Sequence, residues 1–286
     1  MLKGLTLAGL GAIESEERFI ELAGANGFQA VDVDARGLVE RLGTERAAAK
    51  LKEHGVVIGA IGLPVEWRAG EDEFLAGLPG LTEAAAAARS LGCTRCCTYI
   101  LPSTDAKPAH FMALATRRLR ICAQILGAYG ISLGLEFVGP HHLRTAWKYP
   151  FIWTMEETLD WIGAIGEPNV GLLLDAYHWH TNSLTAADIE KLQSQQIVHV
   201  HINDAPDLPV EAVLDNGRLY PGEGVIDLEG FLKGLQRIGY DGIVSQEVLT
   251  QAMPEETPEQ LIIRSKAGFE RVFSAAGIGA EGRGTR

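Results

Sequence analysis

The sequence predicts an α/β chain folded as a single (β/α)8 TIM barrel, and two observations carry that prediction. Strand-like and helix-like runs alternate along nearly the whole length, in about eight β-then-α units with no break in composition. Four of the apolar runs also end on a residue able to bind a cation. They are Gly134-Leu135-Glu136, Leu172-Leu173-Leu174-Asp175, Ile197-Val198-His199-Val200-His201 and Ile243-Val244-Ser245-Gln246-Glu247. Ligands at the ends of strands five to eight converge on one point more readily in a closed ring than in a doubly wound sheet, the competing layout. The expected boundaries are 1–276 for the barrel and 277–286 for a Gly-rich, polar, disordered tail.

The first strand is expected near 2–9, followed by a helix from Glu16 to Ala25 that ends at Gly27. Phe28-Gln29-Ala30-Val31-Asp32-Val33-Asp34 reads as the second strand, and 38–54 as a helix with Leu38, Leu42, Ala47 and Leu51 on its apolar side and a Gly55 stop. Val56 to Leu63 gives the third strand. The next helix, 73–91, is expected to break near Pro79-Gly80, because proline lacks the donor that a helix interior needs. Cys93 to Leu101 is the fourth strand and Pro108 to Ala128 a long helix. Strand five is about 131–137, and the helix after it starts at Thr154 with Glu157 in capping-box position. Strand six is about 169–175, a short helix follows Leu184 with Thr185 as its cap, and strand seven is 197–203. Asp227 caps 228–239, strand eight is 242–249, and Thr257 opens the last helix.

At 286 residues with 47% apolar and 22% charged side chains, the chain can build a large core. A formal charge of −12 argues against a nucleic-acid surface, which would show a basic stripe. No apolar run approaches the ~18 residues of a membrane span. The N-terminus reads as a strand rather than a signal peptide. Three of the four cysteines, Cys93, Cys96 and Cys97, crowd one strand, with Cys122 apart. That is a poor disulfide framework and points to a reduced, cytoplasmic protein. Cys96 and Cys97 face opposite sides of their strand, so plain core cysteines are expected rather than a metal site.

A carboxylate ending an apolar strand must be paired, metal-bound or desolvated at high cost. Taken singly, Glu136 and Glu247 could each be a solvated strand end, Asp175 the cap of a following turn, and His201 a barrel-core histidine. Taken together, Glu136, Asp175, His201 and Glu247 form an oxygen-rich set with one imidazole. Such a set suits one divalent cation, Mn2+, Co2+, Mg2+ or Zn2+, and its lack of thiolate argues against a closed structural zinc site. Four protein ligands leave room for two adjacent substrate oxygens. A cation there acidifies the C–H between a carbonyl and a neighbouring hydroxyl and stabilises the enediolate. Glu136 and Glu247 are the expected acid–base pair, one taking the proton and the other returning it. His199 shares the face of His201 but sits deeper, as a core residue or a support. Trp67, Tyr99, Phe137, Trp147 and Trp179 lie at or beyond strand ends, where they either pack or wall a pocket, with Trp67 the one expected at the substrate. Lys148 reads as a solvated loop residue, and no glycine-rich nucleotide loop is present.

Two stretches carry a resemblance. They are Asn169-Val170-Gly171-Leu172-Leu173-Leu174-Asp175-Ala176-Tyr177-His178-Trp179-His180, and the run from His201-Ile202-Asn203-Asp204-Ala205-Pro206 through Gly217-Arg218-Leu219-Tyr220-Pro221-Gly222-Glu223-Gly224. They resemble the xylose-isomerase-like TIM-barrel superfamily, often labelled sugar phosphate isomerases/epimerases, and within it most of all the inosose (2-keto-myo-inositol) isomerases. The likeness is strong over about 131–250 and only architectural before that. It implies that Glu136, Asp175, His201 and Glu247 hold the metal, that His178 and Arg218 bind substrate oxygens, and that the Pro221–Gly224 turn shapes the seventh loop. Ketose 3-epimerases of the superfamily follow their first metal Glu with a Pro and an Asn-Arg-x-Glu-like stretch. Here the sequence is Phe137-Val138-Gly139-Pro140-His141-His142, which weakens the epimerase reading and leaves His141 or His142, the latter included among the expected substrate contacts, as replacements.

The expected activity is metal-dependent isomerisation of a sugar or keto-polyol, inosose-like, with no nucleotide cofactor, no nucleic-acid or membrane partner, and a homo-oligomer left open. A ketose 3-epimerase or an inosose dehydratase would use the same site. An endonuclease IV-like nuclease would need about three metals and more histidines at the strand mouths. His54 and His110 fall in helices, and strands three and four end in Leu63-Pro64 and Leu101-Pro102. A sugar-binding sensor without catalysis would not need the carboxylate pair.

Overall fold

The computed structural model describes residues 1–279. Its barrel strands, all parallel, are β1 (Leu2–Leu5), β2 (Ala30–Val31), β3 in two halves (Val57–Ile58 and Ile61–Gly62), β4 (Arg95–Ile100), β5 (Ser132–Phe137), β6 (Val170–Asp175), β7 (Ile197–Ile202) and β8 (Ile243–Gln246). Neighbours pair in the order β3-β2-β1-β8-β7-β6-β5-β4-β3. The first half of β3 pairs with β2 and the second with β4, so one short stretch of chain closes the ring, and the nine sheet segments make eight positions around it. The strand mouths therefore gather at one end, where the loops after the strands form a shared face.

Local signals placed most helices. Glu16–Ala25 and Pro108–Ala128 form as the sequence predicts. At Met155–Ile165 the Thr154 hydroxyl accepts from Glu157 N at 3.2 Å, and Glu157 Oε2 accepts from Thr154 N at 3.3 Å. Thr154→Ala leaves one of these end donors unpaired and is expected to lower stability by about 0.5–2 kcal/mol, read from a urea unfolding curve. Asp227 caps Leu228–Arg237 and Thr257 caps Pro258–Ala275, both through side-chain acceptance.

Several elements differ from expectation. Glu71–Ser90 is one helix running through Pro79. Pro79 is exposed, and so is Leu75, whose carbonyl loses its partner, so water can satisfy what the proline removes. The expected helix 38–54 is two, Ala35–Leu42 and Thr44–His54, hinged at Gly43 with φ 76°. An antiparallel pair, Ser103–Thr104 with Tyr149–Pro150, lies outside the barrel. A helix, Ala176–Thr181, starts directly off β6, because Asp175 accepts from Tyr177 N at 2.6 Å. Ile278 packs on the core. Residues 280–286 of the expected tail lie outside the described residues. Among the described residues no helix is long and apolar enough to cross a membrane, and all four cysteines are free.

Candidate metal centre

Glu136 is the fifth residue of β5, Asp175 ends β6, His201 is next to last in β7, and Glu247 follows β8 directly. Register sets His201 level with Asp175 across β6–β7, and level with Ser245, two residues before Glu247, across β7–β8. The four donor atoms all fall within 4.8 Å of one another. His201 Nδ1 stands 3.6 Å from Glu136 Oε1, 3.8 Å from Asp175 Oδ2 and 3.5 Å from Glu247 Oε2. Atoms bound at about 2.0–2.2 Å to a common ion stand about 3–4 Å apart. The spacing fits, and it is too long for direct hydrogen bonds. His201 Nδ1 and Glu136 Oε1 are buried with no hydrogen-bond partner. A shared cation would satisfy both atoms, taking the place of the proton that the surrounding carboxylates otherwise hold on the imidazole.

The electrostatics of the four groups differ: burial pulls the His201 imidazole down, but Glu247, Asp32 and Glu136 outweigh it and push it well above its usual value. Burial pushes the Glu136 carboxyl above its usual range, against a downward pull from His201. Burial opposes ionisation of Asp175 too, but Arg218 and then His178 outweigh it and hold that carboxyl below its usual value. Glu247 is held at about 2: burial works against ionisation, and the charges of His201 and Arg218 overcome it. Arg218 is the cause common to the last two. Its Nη1 donates to Asp175 Oδ2 at 3.0 Å and Glu247 Oε2 at 2.9 Å, and its Nη2 to Asp215 Oδ1 at 2.8 Å. Asn203 Nδ2 adds 3.1 Å contacts to both oxygens of Asp175. Such partners fix the rotamers of ligating carboxylates.

The loop after β7 delivers Arg218. Buried Asp204 braces it by accepting from Ala205, Gly222 and Ile226 backbone N–H groups, and an Asp204–Leu219 bridge pins its far side. A Cβ at Gly224 would sit 2.0 Å from the Ala205 carbonyl oxygen, so this turn admits only glycine. His178 is buried under the cluster, and its Nδ1 accepts from Gly139 N at 3.3 Å. Its Nε2 faces Arg218 Nη2 at 3.4 Å and lies 4.0 Å from Glu136 Oε2, so the ring sits between a donor and a carboxylate.

The remaining sites are placed elsewhere. Trp67 is buried, its Nε1 donating to Thr98 Oγ1 at 3.1 Å, between Phe111 and Trp161. It backs a neighbouring hollow with Trp147, not the metal cleft, because the indole fills the gap between barrel and helices. His142 is exposed on the short helix His141–Arg144 and does not line the cleft. The cleft itself, roughly 370 Å³, opens on the other side of the cluster, over Thr6, Leu7, Asp34, Tyr99, Glu136 and Glu247. Sequence reasoning missed Asp32, which lies against His199 and His201. The signal was present: Ala30-Val31-Asp32 is another apolar run ending on an acid at the mouth of a strand.

Comparison with known proteins bears on this geometry. The profile of the family described as xylose isomerase-like TIM barrel matches residues 18–268. A solved xylose isomerase domain protein from Alicyclobacillus acidocaldarius superposes with a TM-score of 0.90 at 34% identity, covering 97% of this chain and 99% of that one. The IOLI protein, whose structure holds a zinc atom, shares the fold with a TM-score of 0.79 at 20% identity, over 96% of this chain and 98% of that one. Inosose isomerase from Bacillus velezensis is 33% identical over 152 residues, which are 53% of this chain and 52% of that protein. The match thus spans about half the length of that curated relative. Eight parallel barrel positions, four ligand-type residues at successive strand mouths and a family match over most of the length lead to one assignment: the chain belongs to the xylose isomerase-like TIM barrel family.

Proposed function

We propose that the chain is a divalent-cation-dependent isomerase of small sugars or keto-polyols, with an inosose-type substrate, working in the cytoplasm. The observation that carries the reading is the convergence of Glu136, Asp175, His201 and Glu247, with two of their donor atoms buried and unpartnered. These side chains would hold Mn2+, Co2+, Mg2+ or Zn2+, the three oxygens and one nitrogen being compatible with each. When bound, the cation supplies the positive charge that stabilises an enediolate. The protein's own groups do the rest. Glu136 and Glu247 reach the cluster from β5 and from the end of β8, so one can take a proton from carbon while the other returns it. Asp175, clamped by Arg218 and Asn203, stays ionised and takes no part in proton transfer. His178 Nε2, beside Glu136 and Arg218, is placed to hydrogen-bond a substrate oxygen. The kinship with inosose isomerases supports the substrate class.

Solvent deuterium uptake is the direct test. Protein loaded with a single divalent ion is expected to exchange carbon-bound hydrogen of an inosose, or of a ketose from a panel, for deuterium. Carbonyl migration in the product marks the isomerase, inversion at one carbon a ketose 3-epimerase, and loss of water an inosose dehydratase. Absence of exchange with every keto-polyol from ion-loaded, folded protein would sink the proposal. Three ions per chain with cleavage at abasic DNA would replace it with a nuclease.

A further inference from the structure

We propose that Asp32 is a positioning residue of this centre: its carboxylate holds the His201 imidazole so that Nε2 carries the proton and Nδ1 alone faces the cation. The inference rests on the metal-dependent reading above and concerns a residue that lies outside the ligand set.

Asp32 stands just past β2, in the barrel mouth beside the cluster, and each of its oxygens faces two donors. Oδ1 accepts from Ser245 Oγ and from Ala60 N, both at 3.1 Å. Oδ2 lies 2.8 Å from His199 Nε2 and 3.5 Å from His201 Nε2. Four contacts drawn from β3, β7 and β8 use the lone pairs of the carboxylate, so it has no free oxygen to offer an ion of its own. The surrounding backbone is built to admit it. A Cβ on Gly59 would stand 2.2 Å from Asp32 Oδ1, so that position has no room for a side chain. At the next residue the Ala60 N–H leaves the sheet to bond the carboxylate, and there β3 divides into its two halves. A Cβ on Gly4 would likewise meet Ser245 Oγ at 2.4 Å, the hydroxyl that reaches Asp32. Asp34, two residues on, serves a local purpose as the cap of Ala35–Leu42. Asp32 has no such local duty, and its partners are all distant in sequence.

The chemistry follows from the two nitrogens of imidazole. A histidine that ligates through Nδ1 must carry its proton on Nε2, and an acceptor at Nε2 selects that form, orients the ring and raises the basicity of the other nitrogen. Asp32 Oδ2 is such an acceptor, on the side of the ring opposite the unpartnered Nδ1. The 3.5 Å contact is the longest of the four, and contacts of this kind tighten when the ligand arrives. His199 fills the same oxygen from below, which keeps the carboxylate from turning away.

Zn2+ alone is the probe, titrated calorimetrically into chelator-treated full-length chain. The wild type is expected to bind one ion, and Asp32→Asn to bind it about 10- to 100-fold more weakly. Gly59→Ala, which displaces the carboxylate without removing it, is expected to weaken binding in the same direction. Long-range 1H–15N spectra of histidine-labelled, Zn2+-loaded wild type should show His201 with a slowly exchanging proton on Nε2 and the metal on Nδ1. In Asp32→Asn that proton should exchange faster, a change that loss of packing elsewhere would not produce. Equal affinity and an unchanged His201 spectrum in folded Asp32→Asn would overturn the inference. So would a His201 proton on Nδ1 in the wild type, a result that needs no variant to fold. Two ions per wild-type chain and one in Asp32→Asn would make Asp32 a ligand and overturn it too. Failure of the wild type itself to bind Zn2+, Mn2+, Co2+ or Mg2+ would remove the metal reading, and this inference with it.

Discussion

Glu136→Gln is expected to lower kcat by about 100- to 10,000-fold, the range for loss of a positioned general acid or base, while leaving the protein folded. The amide matches the carboxylate in shape but neither takes a proton from carbon nor brings a charge to the cation. The stability change should run the other way. Burial raises the Glu136 carboxyl, and its Oε1 has no partner. A neutral side chain therefore relieves a cost in chelator-treated protein, where Tm is expected to hold or rise. The sign with pH follows from proton binding. Folded protein holds the Glu136 proton more tightly than unfolded chain does, so wild-type stability falls relative to the variant as pH climbs past the ordinary glutamate range. Thermal melts of both proteins at several pH values, set beside their turnover rates, check the pair of outcomes. Wild-type turnover in Glu136→Gln would remove this residue from the proton transfer.

Arg218→Met is expected to cost about 3–5 kcal/mol of stability in chelator-treated protein, the largest structural effect at the centre. The buried guanidinium pairs with three carboxylates, Asp175, Asp215 and Glu247; removing it strands the fully buried charge of Asp175 and leaves the partly exposed Asp215 and Glu247 unpaired. Methionine fills much of the volume, so the loss reports charge rather than a cavity. Adding a divalent cation should recover part of it, because the ion neutralises Asp175 and Glu247 from the other side. Urea unfolding with and without Zn2+ measures both numbers. A loss under about 1 kcal/mol, the scale of an exposed pair, would mean that Arg218 does not hold these carboxylates in solution.

What was readable in the sequence was local. The capping box at Thr154, the Asp227 cap and Thr257 at the start of the last helix are set within four residues, and helix ends fell where those residues stand. The ligand-type residues were legible because a polar group closing an apolar strand is conspicuous in one dimension. The failures have physical causes. Pro79 costs a helix less where the carbonyl it orphans can reach water, and here that face is exposed. Asp175 was read as either a ligand or a cap, and it occupies both positions at once, one oxygen on Tyr177 N and the other toward His201. The resemblance puts Arg218 at the substrate but does not indicate that the same guanidinium also donates to Asp175, Glu247 and Asp215.

By itself the sequence determined the alternation of strands and helices, the helix caps, and which strand mouths carry groups able to bind a cation, since each depends on neighbours a few positions away. Only the tertiary structure decided which of those groups meet. His199 reaches Asp32 across 167 positions, and Arg218 reaches Asp175 across 43. Those pairings depend on the stagger between strands and on β3 closing the ring, and no periodicity along the chain encodes either.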